Sequence, residues 1–352
     1  MNSLSAFESC SLCPRRCQVN RLAGQKGYCG QSAQLRAARA ALHFWEEPCI
    51  SGRAGSGAVF FSGCPMRCVF CQNYEIAAGD RGREISAERL AEIFLELQKK
   101  GANNINLVTP THFVPLIVPA LQAAKKSGLN IPVVYNTSSY ENVETLKMLD
   151  GLVDIYLPDL KYVSSELAGA LSNAPDYFEV AAKAVAEMVW QVGEPVFADQ
   201  NGNLLDAAAM NEACEDVDED ADFLMKKGVI VRHLALPGQA EDSRKVLRYL
   251  HEAYGNRIYI SIMNQYTPMP GIEKRLAHLK GGLAACRGNG LTARQEHSRA
   301  ADLTAGLVRR LTEEEYEALI DFAIEIGIEN GFLQDGETAQ ESFIPDFDGE
   351  GL

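Results

Sequence analysis

The stretch AVFFSGCPMRCVFCQNYE, residues 58–75, decides how the rest of this sequence is interpreted. Its first four residues, 58–61, are apolar and have the β-branched and aromatic content of a buried strand. Three cysteines follow directly, Cys64, Cys68 and Cys71, with the spacing C-x3-C-x2-C. Three thiols on one short loop after a buried strand indicate ligands to a single metal centre.

The number and spacing of these thiols favour an iron–sulfur cluster. A [4Fe-4S] cube normally takes one cysteine per iron, so three cysteines leave one iron open to another ligand. Two alternatives are buried thiols and a structural zinc site completed from elsewhere in the chain. Structural zinc sites usually show paired knuckles, and no second C-x2-C follows downstream.

Length and composition limit the fold and the partners. The chain has 352 residues, 47% of them hydrophobic, which suits a large single-domain α/β barrel. A net charge of −14 argues against an extended nucleic-acid interface. We expect no membrane span, because no apolar stretch approaches the required length. The first residues lack a secretory signal, so the ten cysteines predict metal ligands in a reducing, cytoplasmic compartment.

A second group of cysteines lies near the N-terminus: Cys10, Cys13, Cys17 and Cys29. The surrounding segment is rich in turns and too short for a hydrophobic core of its own, so a metal would supply its folding energy. The spacing suits a four-thiolate zinc site or a second iron–sulfur cluster. Four unligated thiols, or a redox-active C-x-x-C pair, are the alternatives.

From residue 58 onward the sequence alternates between strands and helices. The predicted strands are 58–61, 104–108, 131–135, 153–157, 228–234 and 257–263, and the predicted helices include 87–100, 114–126 and 177–191. A last helix is predicted to begin at a capping box, Thr312 to Glu315. Six mostly apolar strands separated by helices predict an α/β fold, a partial (β/α)6 TIM-like barrel with a small N-terminal cysteine-rich module.

The predicted organisation has three parts. Residues 1–57 form the cysteine-rich module and a connector, and residues 58–330 form the barrel. Two insertions interrupt the barrel, a solvated acidic one at about 194–222 and a long loop at about 268–308. Residues 331–352 form a C-terminal tail.

Polar side chains follow several predicted strands. They are the amide of Asn136, the carboxylate of Asp159 and the ammonium of Lys161, and the guanidinium of Arg232 lies near the end of the predicted strand 228–234. The carboxyl ends of parallel strands share one edge of a sheet, so these groups should surround the cysteine loop. Opposite charges at Asp159 and Lys161, directly after an apolar strand, favour a functional role over a structural one.

The cysteine motif, with Phe70 before its last cysteine, resembles the signature of radical S-adenosylmethionine (SAM) enzymes. The chain as a whole resembles the pyruvate formate-lyase activating-like group, relatives of the enzymes that activate glycyl radical enzymes. The matching segments span about residues 10–270 and are CSLCPRRC, EEPCISG, CPMRCVFCQNYEI, NINLVTPTHFVP, VYNTSSY, DIYLPDLKY, RHLALPG and ISIMNQYTP.

The resemblance implies a radical SAM barrel in which Cys64, Cys68 and Cys71 hold a [4Fe-4S] cluster whose open iron is chelated by SAM. The resemblance implies Phe70, Asn73, Asp159 and Lys161 as cofactor-binding residues, and the strand-end pattern adds Asn136 and Arg232. Among them, Asp159 and Lys161 match a pair that contacts the ribose and carboxylate of SAM. The sequence departs from the family pattern at residues 109–112, Thr-Pro-Thr-His, where many radical SAM enzymes carry a Gly-Gly-Glu-type segment for the SAM amine.

The implied activity is reductive cleavage of SAM, with a flavodoxin or ferredoxin-type protein as electron donor and hydrogen abstraction from a substrate. The resemblance suggests a glycine of a partner enzyme as that substrate. Modification of another peptide or a small molecule is one alternative. A non-catalytic regulator that binds SAM and an iron–sulfur cluster is another. The sequence assigns no catalytic residue.

Overall fold

A computed structural model describes residues 3–79, 81–210, 223–269, 271–273, 275–276, 306–334 and 345–352. Its strands are β1 Arg36–His43, β2 Ser56–Phe61, β3 Arg83–Glu84, β4 Ile105–Val108, β5 Val133–Thr137, β6 Ile155–Pro158, β7 Val196–Ala198, β8 Leu204–Asp206, β9 Leu224–Leu234, β10 Tyr259–Met263 and β11 Gly331–Leu333. Its helices are α1 Pro48–Ser51, α2 Tyr74–Ala77, α3 Ala87–Lys99, α4 Val114–Lys126, α5 Val143–Leu146, α6 Ser165–Ser172, α7 Tyr177–Val192, α8 Ala240–Tyr254 and α9 Glu313–Glu325.

The described strands form one mixed sheet with a parallel centre. Strands β2, β4, β5, β6, β9 and β10 lie side by side in chain order, all parallel, and β11 joins β10 in the same direction. Winding in one direction, with helices between the strands, is the topology of a partial (β/α)6 barrel. The α/β fold predicted from the sequence is confirmed, as is the capping box of α9, where Thr312 and Glu315 bond reciprocally.

Both faces of the parallel strands are buried, which explains their nearly continuous apolar sequences. One face packs against the helices in the largest hydrophobic cluster. The opposite face holds a smaller cluster that includes Val134, Leu157, Ile230 and Tyr259, closed by Ile50 of α1. Because side chains alternate along a strand, the residue two positions after each of these shares the same inner face.

The predicted connector at residues 36–57 is wrong in part, because residues 36–43 form β1, which pairs antiparallel with β2. The segment RAARAALH is rich in alanine and has little intrinsic strand preference. It is a strand because β2 supplies its hydrogen-bonding partners. Strand β2 itself begins two residues before the predicted start at residue 58.

The predicted insertions and tail are described only in part. Residues 196–206 of the acidic insertion form the β7–β8 hairpin, which pairs with the start of β9. In the predicted tail, β11 extends the sheet, and the amide of Gly349 donates to the carbonyl of Ala38 at 3.0 Å. Residues 211–222, most of 268–308, and with them Cys214 and Cys286, lie outside the described residues. The division into three domains stays a prediction.

The N-terminal module packs on the barrel through Arg21, which also holds the module together. Arg21, only 1% exposed, donates to the carbonyl of His112 at 2.7 Å and to the carbonyl of Ser32 at 2.7 Å. Its guanidinium lies 4.5 Å from the ring of Phe7.

Among the described helices, none is long and apolar enough to cross a membrane.

We predict that Gly63→Ala destabilises the protein more than Gly101→Ala does. Both glycines have positive φ, +87° and +90°, where a side chain costs about 1–2 kcal/mol. A Cβ at Gly63 would also lie 2.5 Å from the carbonyl oxygen of Cys29, whereas one at Gly101 would meet nothing within 4 Å. The difference between the urea midpoints of the two variants measures the extra cost, and equal shifts would contradict the close packing of module and loop.

Candidate active site

A cavity of about 500 Å³ opens at the carboxyl ends of the parallel strands. Every residue predicted to hold the cluster or the cofactor on the barrel lines it: Cys64, Cys68, Cys71, Phe70, Asn73, Asn136, Asp159, Lys161 and Arg232. These residues come from four separate regions of the sequence. The volume lies within the range of about 300–1,000 Å³ that is usual for small-molecule sites.

The cysteine loop is shaped by two residues with positive φ. Gly63 turns the chain away from the end of β2, and Arg67 adopts φ +53° between the first and second cysteines. The amide of Cys71 then donates to the carbonyl of Cys68 at 3.1 Å. The Ser172 hydroxyl at the end of α6 donates to the Cys68 thiol at 3.0 Å. The loop is thereby fixed against the barrel.

The three loop thiols have an environment that disfavours thiolates unless positive charge is added. Burial, together with repulsion from Cys68, raises the pKa of Cys64 to about 11. Burial also raises the pKa of Cys71, and Cys64 and Cys68 raise it further. The Lys161 ammonium acts in the opposite direction on the pKa of all three thiols, but burial outweighs it and each pKa stays raised. Bound iron would supply the missing positive charge, so this donor set fits a metal cluster.

Within the described residues, no three cysteine, histidine or carboxylate side chains converge closely enough to hold a single metal ion. A [4Fe-4S] cluster does not require such convergence, because each thiolate binds a different iron.

Arg232 is the centre of the charged groups in the cavity. Its guanidinium donates to the carboxylate of Glu46 at 3.0 Å, to that of Asp159 at 3.1 Å and to the amide oxygen of Asn136 at 2.6 Å. The second carboxylate oxygen of Asp159 accepts from the Lys161 ammonium at 2.6 Å. Four of the six predicted cofactor residues, Asn136, Asp159, Lys161 and Arg232, thus form one continuous network on or directly after β5, β6 and β9.

The network keeps its members charged in spite of burial. Burial alone would raise the pKa of Asp159, but Lys161 and Arg232 outweigh it, so that pKa is lowered. Burial alone would lower the pKa of Lys161, but the Asp159 carboxylate more than offsets this and raises it. A bound ligand therefore meets a fixed ammonium, guanidinium and carboxylate.

Two cavity residues, Glu46 and Glu47, were not anticipated from the sequence. They lie between β1 and α1, in the segment predicted to be a connector, and both line the cavity. Glu46 accepts hydrogen bonds from Arg232 and from the amides of Asn106 (2.9 Å) and Asn136 (3.2 Å). Two signals lie in the sequence: an acidic pair beside an aromatic pair, HFWEEP, and the segment EEPCISG among those that resemble the family. Neither indicates a position in the cavity, because that position depends on β1, which was missed.

Phe70 and Asn73 flank the end of the cysteine loop. Phe70 is buried, with the ring centroids of Tyr162 and Tyr266 at 6.5 and 6.3 Å, both edge-to-face. Asn73 occupies the N-cap position of α2, but its side chain does not cap the helix. The Asn73 side chain is therefore available to a ligand in the cavity, which this residue lines.

The segments that depart from the family pattern contribute little to the cavity. Of residues 109–112, only Thr109 lines it, with a strained positive φ of +57°. The Thr111 hydroxyl donates to Glu141 at 2.6 Å, and the His112 ring bonds the Ser62 carbonyl at 2.7 Å. Burial lowers the pKa of His112 to about 3, so its ring is neutral near pH 7.

The N-terminal cysteines form a separate group outside the cavity. Cys10, Cys13 and Cys29 are buried and Cys17 is partly buried, and none of the four forms a disulfide. Burial, and more weakly Cys29 and Cys10, raise the pKa of Cys13 to about 12. The four thiols are thus near enough to repel one another as thiolates.

Arg15 links this cysteine group to the cysteine loop. Its guanidinium donates to the carbonyl of Pro65, inside the loop, at 2.8 Å and to the carbonyl of Ser172 at 3.0 Å. It also lies 4.1 Å from the ring centroid of Tyr28. The module therefore braces the same loop whose thiols line the cavity.

Comparison with solved structures gives a limited likeness. Streptococcus suis SuiB bound to S-adenosylmethionine aligns with a TM-score of 0.45 and 11% identity, covering 78% of this chain and 49% of SuiB. SuiB bound to the precursor peptide SuiA aligns with a TM-score of 0.44 and 11% identity, covering 78% of this chain and 47% of SuiB. This chain thus spans about half the length of SuiB.

Comparison of sequences gives a relative and a family. Uncharacterized protein MJ0674 of Methanocaldococcus jannaschii is 27% identical over 288 residues, which are 77% of this chain and 72% of that protein. The family model of the Radical SAM superfamily matches residues 58–189. That match includes the cysteine loop, Asn136, Asp159 and Lys161, and the family uses a [4Fe-4S] cluster and SAM. Over residues 58–189, this chain is therefore similar to the radical SAM superfamily.

Proposed function

We propose that this protein is a radical SAM enzyme that abstracts hydrogen from a substrate in the cavity at the strand ends. The observation that carries the proposal is the meeting of three loop thiols with Asp159 and Lys161 in one cavity. When bound, the cluster and SAM supply reductive cleavage to methionine and a 5′-deoxyadenosyl radical. The protein supplies binding, orientation and exclusion of water.

Individual residues have distinct roles in this proposal. Cys64, Cys68 and Cys71 hold the cluster. The Lys161 ammonium binds the carboxylate of SAM, and the Asp159 carboxylate accepts from its ribose hydroxyls. Asn136, Arg232, Asn73 and the backbone of Phe70 complete the cofactor site, where the aromatic rings around Phe70 keep water away.

We further propose a glycine of a partner enzyme as the substrate and a flavodoxin or ferredoxin-type protein as the electron donor. Both follow from the resemblance to the pyruvate formate-lyase activating-like group across residues 10–270. Fold and cofactor alone do not fix a substrate. Co-purification under anaerobic conditions tests this part: a glycyl radical enzyme among the captured proteins would support it, and a partner of another class would contradict it.

Cys68→Ala should abolish formation of 5′-deoxyadenosine after anaerobic reconstitution with iron, sulfide, SAM and dithionite, because the cluster loses one of its three protein ligands. Liquid chromatography of the quenched reaction measures the product. Cys49→Ala is the control, since Cys49 is equally buried but packs in the inner-face core, and it should retain the activity. Product formation by Cys68→Ala would contradict the cluster assignment, and no product from the wild type would contradict the enzyme proposal.

Lys161→Met should raise the Kd for SAM about tenfold or more, because a charged hydrogen bond to the SAM carboxylate is lost. The variant should still fold, since Asp159 keeps its ion pair with Arg232. Isothermal titration of the reconstituted protein gives the Kd. Lys125→Met, which removes a surface lysine 4.0 Å from Asp154, is the control. An unchanged Kd for Lys161→Met would contradict the assigned role.

We propose a second metal centre at Cys10, Cys13, Cys17 and Cys29. Metal analysis of the reconstituted protein should find about eight iron atoms per chain if this centre is a [4Fe-4S] cluster, or about four iron and one zinc if it is a zinc knuckle. Cys13→Ala should remove the metal of this second centre and leave the four iron atoms of the cluster at Cys64, Cys68 and Cys71. About four iron and no zinc in the wild type would contradict a second centre.

A further inference from the structure

Glu47 is the one carboxylate in the cavity without a full set of partners among the described residues. It is 8% exposed and accepts a hydrogen bond from the Ser261 hydroxyl on β10. Its Oε2 atom is buried and has no hydrogen-bond partner. Its neighbour Glu46 is fully engaged with Arg232, Asn106 and Asn136. An unpaired buried carboxylate oxygen is costly unless a ligand satisfies it.

The charges around the cavity point to the kind of ligand. Among the described residues that line it, the carboxylates belong to Glu46, Glu47 and Asp159, and the cations belong to Lys161 and Arg232. Burial, with repulsion from Arg39 and Arg232, lowers the pKa of His43 to about 4, so this lining histidine is neutral near pH 7. Arg232 pairs with Glu46, and both Arg232 and Lys161 pair with Asp159. Glu47 is left without a direct ion pair, so a positive group would complement it.

Glu47 and the cysteine thiols lie toward different ends of the cavity. Strand β1 runs antiparallel to β2, with His43 opposite Ser56, so the segment that carries Glu47 begins at the amino end of β2, whereas the cysteine loop follows its carboxyl end. In addition, Ser261 pairs in register with Arg232 across β9 and β10. Glu47 therefore lies at the depth of Arg232, on the side away from the cluster.

We propose that Glu47 recognises a cationic group of the substrate, a primary ammonium or a guanidinium. The inference rests on the proposed function, because it assigns the end of the cavity away from the cluster to the substrate. Either group presents N–H donors and a positive charge, which would satisfy Oε2 and neutralise the carboxylate together. The substrate class is an amine or a guanidine, free or as the side chain of a peptide.

The aromatic residues beside Glu47 suit such a substrate. Phe44 and Trp45 precede the glutamates on the same segment, line the same cavity and are 50% and 58% exposed. Phe332 of β11 also lines it. Aromatic faces attract organic cations and pack against the apolar stem of an alkyl ammonium or guanidinium. A cavity that combines a carboxylate with aromatic walls therefore contacts both the charged group and the apolar stem of such a substrate.

The test compares n-butylguanidinium with n-butylurea, which has nearly the same shape without the charge. Both are titrated into the reconstituted full-length protein with SAM bound, by isothermal titration or ligand-observed NMR. The guanidinium should bind about tenfold more tightly than the urea. Glu47→Gln keeps the size of the side chain and one acceptor oxygen but removes the charge and replaces the other oxygen by a donor, so it should reduce that preference to about twofold or less. Glu47→Asp should keep part of it, because the charge remains.

Several results would overturn the proposal. Equal binding of the two probes to the wild type would remove the evidence for a cation site. A preference that survives in Glu47→Gln would place the site elsewhere, and a weaker Kd for SAM in that variant would assign Glu47 to the cofactor. Glu96→Gln, an exposed glutamate on α3, is the control and should keep the full preference. Formation of 5′-deoxyadenosine, measured on the same samples, reports on the enzyme proposal separately.

Discussion

The structure around the cavity depends on one largely buried guanidinium. The Arg232 side chain is 13% exposed, and a charge so far removed from water is stable only when its donors are satisfied and opposite charge lies close. Glu46, Asp159 and Asn136 meet that requirement from three different parts of the chain. The same contacts also fix the ends of β5 and β6 and hold the segment after β1 inside the barrel. The need to satisfy the Arg232 guanidinium therefore explains the position of the site and the position of the segment that was missed.

The alternation of side chains along the strands explains how a polar site forms above an apolar core. On the inner face, Val134, Leu157 and Ile230 are buried, and the residues two positions later are Asn136, Asp159 and Arg232. Two residues further along each strand, the inner face thus changes from apolar to polar or charged side chains. The apolar layer excludes water from below, so the hydrogen bonds above it operate in a medium of low dielectric constant and hold their geometry. The cysteine loop closes the same space from the side of β2.

The sequence was sufficient where the signal is local. The strand before Cys64, most of the helices around the barrel and the charged residues near the strand ends were predicted, because apolar periodicity and strand-end position are encoded within a few residues. Helix α6, Ser165–Ser172, was not predicted. It was insufficient where the structure is made by distant partners. Residues 36–43 are rich in alanine and become β1 only through pairing with β2. Glu46 and Glu47 become cavity residues only because β1, antiparallel to β2, leads the chain back to the amino ends of the strands, where α1 closes the inner face. Neighbouring residues do not reveal this path. The contact of Gly63 with Cys29 likewise joins residues that are far apart in the sequence.

The distribution of these residues separates two functions on the fold. The groups proposed for the cofactor lie on the cysteine loop or at strand ends, and the main chain of the sheet holds them in place. The group proposed for the substrate, Glu47, lies on a segment between β1 and α1, where a substitution alters no strand. A carboxylate there acts on whatever occupies the far end of the cavity, while Lys161 and Asp159 keep their pairing at the cluster end. Substrate preference can therefore differ between proteins that share the proposed cofactor site, so similarity to the radical SAM superfamily does not determine the substrate.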